Sequence, residues 1–223
     1  MIMFEQKFSL KNLLTSRIDH SISGMEENGS RVAYSSRHFA LQLLFLLFTV
    51  SPLLSQTAGD FRTNGNVQFN SSVNWQVYDG TSWVAAATDP ASSSGVITVR
   101  NGHTATLTTS ETLDQLIIEA GGTLRINSSR TLYIGNGPEA FDLDVYGTID
   151  NYGSINTTSN PGSAIRFNNG SFYNHRLNGG TIPEASWLVN STCSIVAVTS
   201  TLPSGLNQVF GNLTWNSPGQ TAD

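Results

Sequence analysis

From Phe61 onward the chain is a succession of short apolar pulses separated by Gly, Asn, Ser and Thr. Val96–Val99, Ala105–Leu107, Leu116–Ile118, Thr123–Ile126, Thr131–Ile134, Phe141–Val145, Thr148–Asp150, Ser154–Asn156, Ala164–Phe167 and Ser171–Tyr173 all alternate with period two. Successive side chains of a strand point to opposite faces, so each pulse predicts a short strand with one apolar side. No stretch of useful length carries the period of an α-helix.

A second regularity joins the pulses. Gly, then Thr or Ser, then an aliphatic or aromatic residue recurs in GGTLRI (Gly121–Ile126), YGTID (Tyr146–Asp150), YGSIN (Tyr152–Asn156), NGSFYN (Asn169–Asn174) and GGTIP (Gly179–Pro183). Gly supplies a positive φ or a tight bend at a corner, and the residues after it open the next strand. Repetition of one corner predicts a solenoid in which each coil stacks only on its neighbours. The expected fold is all-β: a right-handed parallel β-helix with coils of roughly 18 to 25 residues. An antiparallel β-sandwich is the alternative, although its strands usually run to about five or six residues.

The segment 59–92 reads differently, with Trp75, Tyr78 and Trp83 and a hairpin-like Asp79-Gly80 between QVY and SWV. It is expected to be an N-terminal cap, since an uncovered solenoid end exposes strand edges. Coils then occupy 93–223. Gly211–Trp215 is one more strand-like pulse with no polar cap after it, and the expectation is a fragment truncated at its C-terminal side.

Residues 1–58 form a leader. Phe39–Val50 holds no charge but falls short of the roughly 20 apolar residues of a spanning helix. Arg31 and Arg37 precede it, and Ser51, Pro52, Ser55, Thr57, Ala58 and Gly59 follow, which reads as a signal peptide cut near 57–59. The leader is long for that role; a true start at Met25 would bring it to the usual length. The expected destination is the medium or the outer cell surface.

Beyond the leader there is no Lys, and six arginines face twelve carboxylates, a formal charge near −6. Nothing in the order of those arginines predicts a basic patch, so nucleic acid is not an expected partner. Cys193, the one cysteine, sits in the apolar run CSIVAV and reads as buried filler.

The body resembles a module of large secreted or surface proteins of Bacteroidetes-type bacteria. The resemblance is carried by NWQVYDGTSWVAA, GVITVRNGHTATLT (Gly95–Thr108), LDQLIIEAGGTLRI (Leu113–Ile126), GGTIPEASW and LPSGLNQVFGNLTWN, and covers nearly all of 61–219. It implies adhesin-like cargo of the type IX secretion route, with β-helical coils preceding further domains. It implies no reaction and no catalytic residue.

Candidate chemistry is sparse. Asp142, Asp144 and Asp150 are the densest carboxylates, the first two at i, i+2 on one strand. Such a pair could hold Ca²⁺ or serve as the acid and base of a sugar-cleaving site, with Arg125, Arg130 or Arg166 as the cation beside it; the competing reading is a solvated strand face. Arg125 and Arg166 alternate with apolar residues and are expected to point outward. His103 and His175 lie in turn-like sequence without ligand spacing. Tyr146 and Tyr152, each just before a corner Gly, could form a ladder along the coil and, with Trp75 and Trp83, a stacking surface for sugars. The threonines Thr104, Thr106, Thr108 and Thr109 are spaced too unevenly for an ice-binding ladder. The reading is a non-enzymatic structural or adhesion domain without cofactor, whose partners are polysaccharide, other surface proteins or further domains of the same protein. The alternative is a carbohydrate-binding or polysaccharide-cleaving β-helix protein.

Overall fold

The computed structural model describes residues 56–157, 162 and 164–222. The expected apolar core of the signal peptide at 39–50 and the alternative start at Met25 lie outside the described residues. The predicted pulses become strands that run round a coil. The first coil holds β1 (Phe61–Thr63) and β2 (Val67–Gln68), followed by a hairpin of β3 (Trp75–Tyr78) and β4 (Trp83–Ala85). The second holds β5 (Ile97–Val99), β6 (Thr104–Leu107) and β7 (Glu111–Leu113), and the third β8 (Leu116–Ile118), β9 (Thr123–Ile126) and β10 (Thr131–Ile134). The fourth holds β11 (Leu143–Val145), β12 (Thr148–Asn151) and β13 (Ser154–Asn156). The fifth contributes β14 (Ile165–Phe167) and β15 (Phe172–His175), the sixth β16 (Ser186–Trp187) and β17 (Thr192–Ile195), and β18 (Asn212–Trp215) follows.

Like strands of successive coils stack into three walls. The first runs β16-β14-β11-β8-β5-β1-β3-β4, the second β18-β17-β15-β12-β9-β6-β2 and the third β13-β10-β7. Every coil-to-coil pairing is parallel, and only the hairpin pairs antiparallel, β1 with β3 and β3 with β4. This is a parallel β-solenoid, and the sandwich alternative falls. From the second coil on, paired positions recur after about 19 residues (Thr104 and Thr123) to about 27 (Leu116 and Leu143), whereas the first coil, which carries the hairpin, takes about 36 (Phe61 and Ile97). The step from Leu116 to Leu143 passes the expected range because residues 135–142 leave the wall as a loop before β11, and the first step passes it because of the hairpin.

Inward positions stack over inward positions. Ile97, Leu116, Leu143 and Ile165 form one column of the first wall, with Val99, Ile118, Val145, Phe167 and Trp187 beside it. Ala105, Leu124, Ile149, Tyr173 and Cys193 form a column of the second. All are buried, and each fully buried aliphatic side chain contributes about 1.5–3 kcal/mol relative to exposure. Phe167 and Trp187 stack at 4.0 Å between centroids.

The segment 59–92 supplies both the first coil and the hairpin that continues the first wall. Asp79 makes the turn. Its Oδ1 accepts from the backbone N–H groups of Thr81 and Ser82 at 2.8 Å, and these bonds, the one from Ser82 foremost, hold its carboxyl at about 2. Gly80 takes the positive φ of 101° that the turn requires.

Two corner glycines have a different reason from the one the sequence offers. Gly147 and Gly153 do not lie at positive φ. A Cβ on Gly147 would stand 2.3 Å from the carbonyl oxygens of Glu119 and Gly122, and one on Gly153 would stand 2.2 Å from that of Arg130. Glycine is needed there because adjacent coils bring backbone against backbone.

The core also encloses a polar cluster. Asn151 Nδ2 donates to the Tyr173 hydroxyl at 2.8 Å, and that hydroxyl lies 3.3 Å from His175 Nδ1. His175 Nε2 is 2.7 Å from the Gly179 carbonyl, which fixes it as the donor nitrogen and leaves Nδ1 to accept from Tyr173. His175, which lies in turn-like sequence, is a strand residue and fully buried, because its place in β15 is an inward one, under Asn151.

Candidate functional site

The outer wall of the fourth and fifth coils carries the chemistry. In the sequence, Asp-Val-Tyr-Gly (144–147) and Asp-Asn-Tyr-Gly (150–153) repeat one pattern. The coil turns this repeat into two similar stations at successive corners. At each, an outward Asp pairs with an Arg of the next coil, and a Tyr follows at the corner.

At the first station Asp144 lies in register between Ile117 and Arg166. Arg166 binds it through both arms, Nε to Oδ1 at 2.9 Å and Nη2 to Oδ2 at 2.6 Å. Asn168 Nδ2 adds a third bond to Oδ1 at 2.5 Å. The guanidinium also rests 4.0 Å from the centroid of Phe141. Tyr146 is 41 % exposed beside the pair. Burial, then the Asp144 carboxylate, raises its pKa, so at neutral pH the hydroxyl keeps its proton and can donate. The bond to Asp144 is the largest cause of the raised pKa of Arg166.

At the second station Asp150 lies in register between Arg125 and Asn174. Its Oδ1 accepts from Arg176 Nε at 2.8 Å and from Asn174 Nδ2 at 2.9 Å. Tyr152 is held between coils: the Arg125 guanidinium lies 4.6 Å from its centroid and that of Arg176 5.6 Å. These distances suit cation–π attraction.

The expected acidic cluster does not form. Asp142 is 1 % exposed, its Oδ1 accepting from Gly137 N–H at 2.6 Å and its Oδ2 from Ala164 N–H at 2.7 Å. Asp142 thus holds the loop 135–142 to the following coil, because the chain before β11 bends over it. Asp144 faces out from the first wall and Asp150 from the second, since a corner separates them. The solvated-face reading also fails for Asp142 and Asp144, both buried. No group of three or more His, Cys, Asp or Glu converges at metal-ligand distance among the described residues. Both oxygens of Asp142 accept backbone N–H groups and both of Asp144 are bound by Arg166, so the two carboxylates that could have held Ca²⁺ are turned to protein partners instead.

The aromatic candidates part in the same way. Trp75 is 1 % exposed, packed against Phe61 and Phe69 with Nε1 donating to the Gln68 carbonyl at 3.2 Å. It offers no ring to a sugar, because it fills the first coil. Trp83 is half-buried beneath Arg62, whose guanidinium lies 4.2 Å from its centroid, and beside Tyr78. Tyr146 and Tyr152 stand at successive corners of one coil rather than in a ladder along the axis. Of the expected cations, Arg166 is tied to Asp144, Arg125 is exposed over Tyr152, and Arg130 is exposed at the corner before β10. His103 Nδ1 lies 2.8 Å from the Thr63 hydroxyl, joining the first two coils.

Sequence reasoning missed three features. Thr104, Thr123, Thr148 and Thr192 are in register on the second wall, with the 47 %-exposed Phe172 interrupting the column. Their sequence spacing is uneven, and only the coil lengths align them. Arg176 was not singled out, because its partner Asp150 is a coil away. The approach of Arg125 and Arg176 to one tyrosine was hidden for the same reason; the repeated Asp-x-Tyr-Gly was the available signal. Comparison with protein-family models, curated proteins and solved structures gives no match for the chain.

Proposed function

We propose that this chain is a non-enzymatic structural and adhesive domain of an exported surface protein, of the kind its resemblance to Bacteroidetes-type modules implies. The observation that carries this reading is the use of its carboxylates. Asp142 holds the Ala164 N–H across 22 residues of chain, Asp144 holds Arg166, and Asp150 holds Arg176. Each bond runs from one coil to the next. An acid and base pair flanking a glycosidic bond needs carboxylates free to exchange protons, and these three are engaged in holding coils together. The uncharged run 39–50 behind Arg31 and Arg37 supports export, and the Asn, Thr and Ser of the outer wall support a passive, hydrated surface. Polysaccharide, other surface proteins and further domains of the same protein are the partners this role would have.

A second reading, carbohydrate binding, is favoured by one feature: Tyr146 and Tyr152 stand beside hydrogen-bonding pairs at the surface, a mostly apolar ring with a few polar groups. The test for both readings is the whole chain incubated with a panel of polysaccharides, scored for retention and for new reducing ends. Retention without new ends is the expected result. New ends that vanish on Asp144→Asn would overturn the non-enzymatic reading.

A further inference from the structure

We propose that the corner between the second and third walls, centred on Tyr152, binds an acidic polysaccharide through the anionic groups on its sugars. This rests on the adhesive reading above and names its ligand class. Two coils, the third and the fifth, bring three arginines toward this corner of the fourth. Arg125 comes from β9 and lies in register over Asp150; Arg176 follows β15 and pairs with that same Asp150. Arg130 precedes β10, and its carbonyl accepts from the Ser154 N–H at 2.8 Å, directly beside Gly153. Arg125 and Arg176 therefore flank the Tyr152 ring, and the backbone of the exposed Arg130 lies beside Gly153. Asp150 offsets one of them. Among the described residues the ion pairs are Asp144–Arg166 and Asp150–Arg176, so Arg125 and Arg130 are left without a carboxylate partner.

Asp150 offsets Arg176, so Arg125, with Arg130 a few residues along the same coil, is uncompensated positive charge on a body whose formal charge is near −6. Local sign decides at short range, because the Debye length is about 8 Å at physiological salt and the remaining carboxylates are screened beyond it. Tyr152 positions the cations rather than stacking on a sugar. Arg125 approaches its ring from the preceding coil and Arg176 from the following one, at 4.6 and 5.6 Å. Two long side chains are thereby partly ordered before a ligand arrives, which lowers the cost of binding. Arg guanidinium matches the planar carboxylate of a uronate or the oxygens of a sulfate ester. Asp150 and Asn174, bonded to each other, lie in register next to the cations.

The test uses the whole chain at physiological salt against polygalacturonate, a sulfated dextran, unmodified dextran and a single-stranded oligonucleotide. Retention of a charged polymer and not of unmodified dextran is expected; the two charged arms tell carboxylate from sulfate. Arg125→Gln with Arg130→Gln leaves both ion pairs intact and should weaken retention roughly ten-fold. Tyr152→Ala should weaken it too, whereas Tyr152→Phe, which keeps the ring, should bind as the parent does. Circular dichroism confirms that each variant is folded. No retention of either acidic glycan by the folded parent would overturn the inference, as would retention indifferent to the double Arg change. Preferential retention of the oligonucleotide would overturn the glycan assignment. New reducing ends would instead strike at the non-enzymatic reading and leave the binding inference standing, so the two failures are distinguishable.

Discussion

Replacing Asp142 is the sharpest test of whether a buried carboxylate here is structural. Its two oxygens each accept one backbone N–H, from Gly137 at 2.6 Å and from Ala164 at 2.7 Å, and the side chain is 1 % exposed. A hydrogen bond to a charged group is worth about 1.5–3 kcal/mol net, so two give about 3–6 kcal/mol. Two effects reduce this. Both amides are only partly buried and regain some water when the carboxylate is gone. Asp114, whose pKa is raised by burial and also by the Asp142 charge, is relieved of a like charge. Asp142→Ala should therefore cost about 2–4 kcal/mol. Asp142→Asn keeps one carbonyl acceptor and should cost roughly half as much. Urea unfolding followed by tryptophan fluorescence measures both, with the m-value as a check that the folded state is otherwise unchanged. Equal and small losses, below about 0.5 kcal/mol for both variants, would refute the argument that Asp142 joins the loop to the next coil.

Gly153→Ala should destabilise by about 1–3 kcal/mol, because its Cβ would meet the Arg130 carbonyl at 2.2 Å; a thermal melt within a degree of the parent would contradict this. Burial lowers the pKa of His175, so the unfolded chain binds the proton more readily. Stability should then fall as pH drops through the ordinary histidine value of about 6.5 and level off below the folded value. Urea midpoints between pH 8 and 5 should show this fall, less of it remaining in His175→Gln. Cys193 is fully buried and its thiol is pushed up to about 12 by burial, so a thiol reagent at pH 8 should label it only at the rate of unfolding. Fast labelling of the folded chain would show that the core is open at β17.

Much of the fold was legible because its cause is local. A strand that buries one face must alternate, and the alternation of Thr123–Ile126 or Thr148–Asp150 can be read without knowing what lies on either side. The parallel stacking was legible from repetition: corners such as YGTID and YGSIN recur because each coil meets the same geometry. The turn at Asp79-Gly80 was legible too, since its hydrogen bonds close within four residues.

What the sequence could not reveal is which coil position faces which. That depends on coil length, and the step from Leu116 to Leu143 is longer than that from Thr104 to Thr123 because of one inserted loop. Only the tertiary structure could turn Asp142 into a buried anchor, divide Asp144 from Asp150 by a corner, and bury Trp75 and His175. It also decided why Gly147 and Gly153 are glycine, since the carbonyls that exclude a side chain there belong to the coil before. The same stacking set Arg125 and Arg176 against Tyr152 from the coils before and after it. Alternation is written residue by residue along the chain; lateral register in a solenoid is the sum of every coil length, and a single loop shifts it.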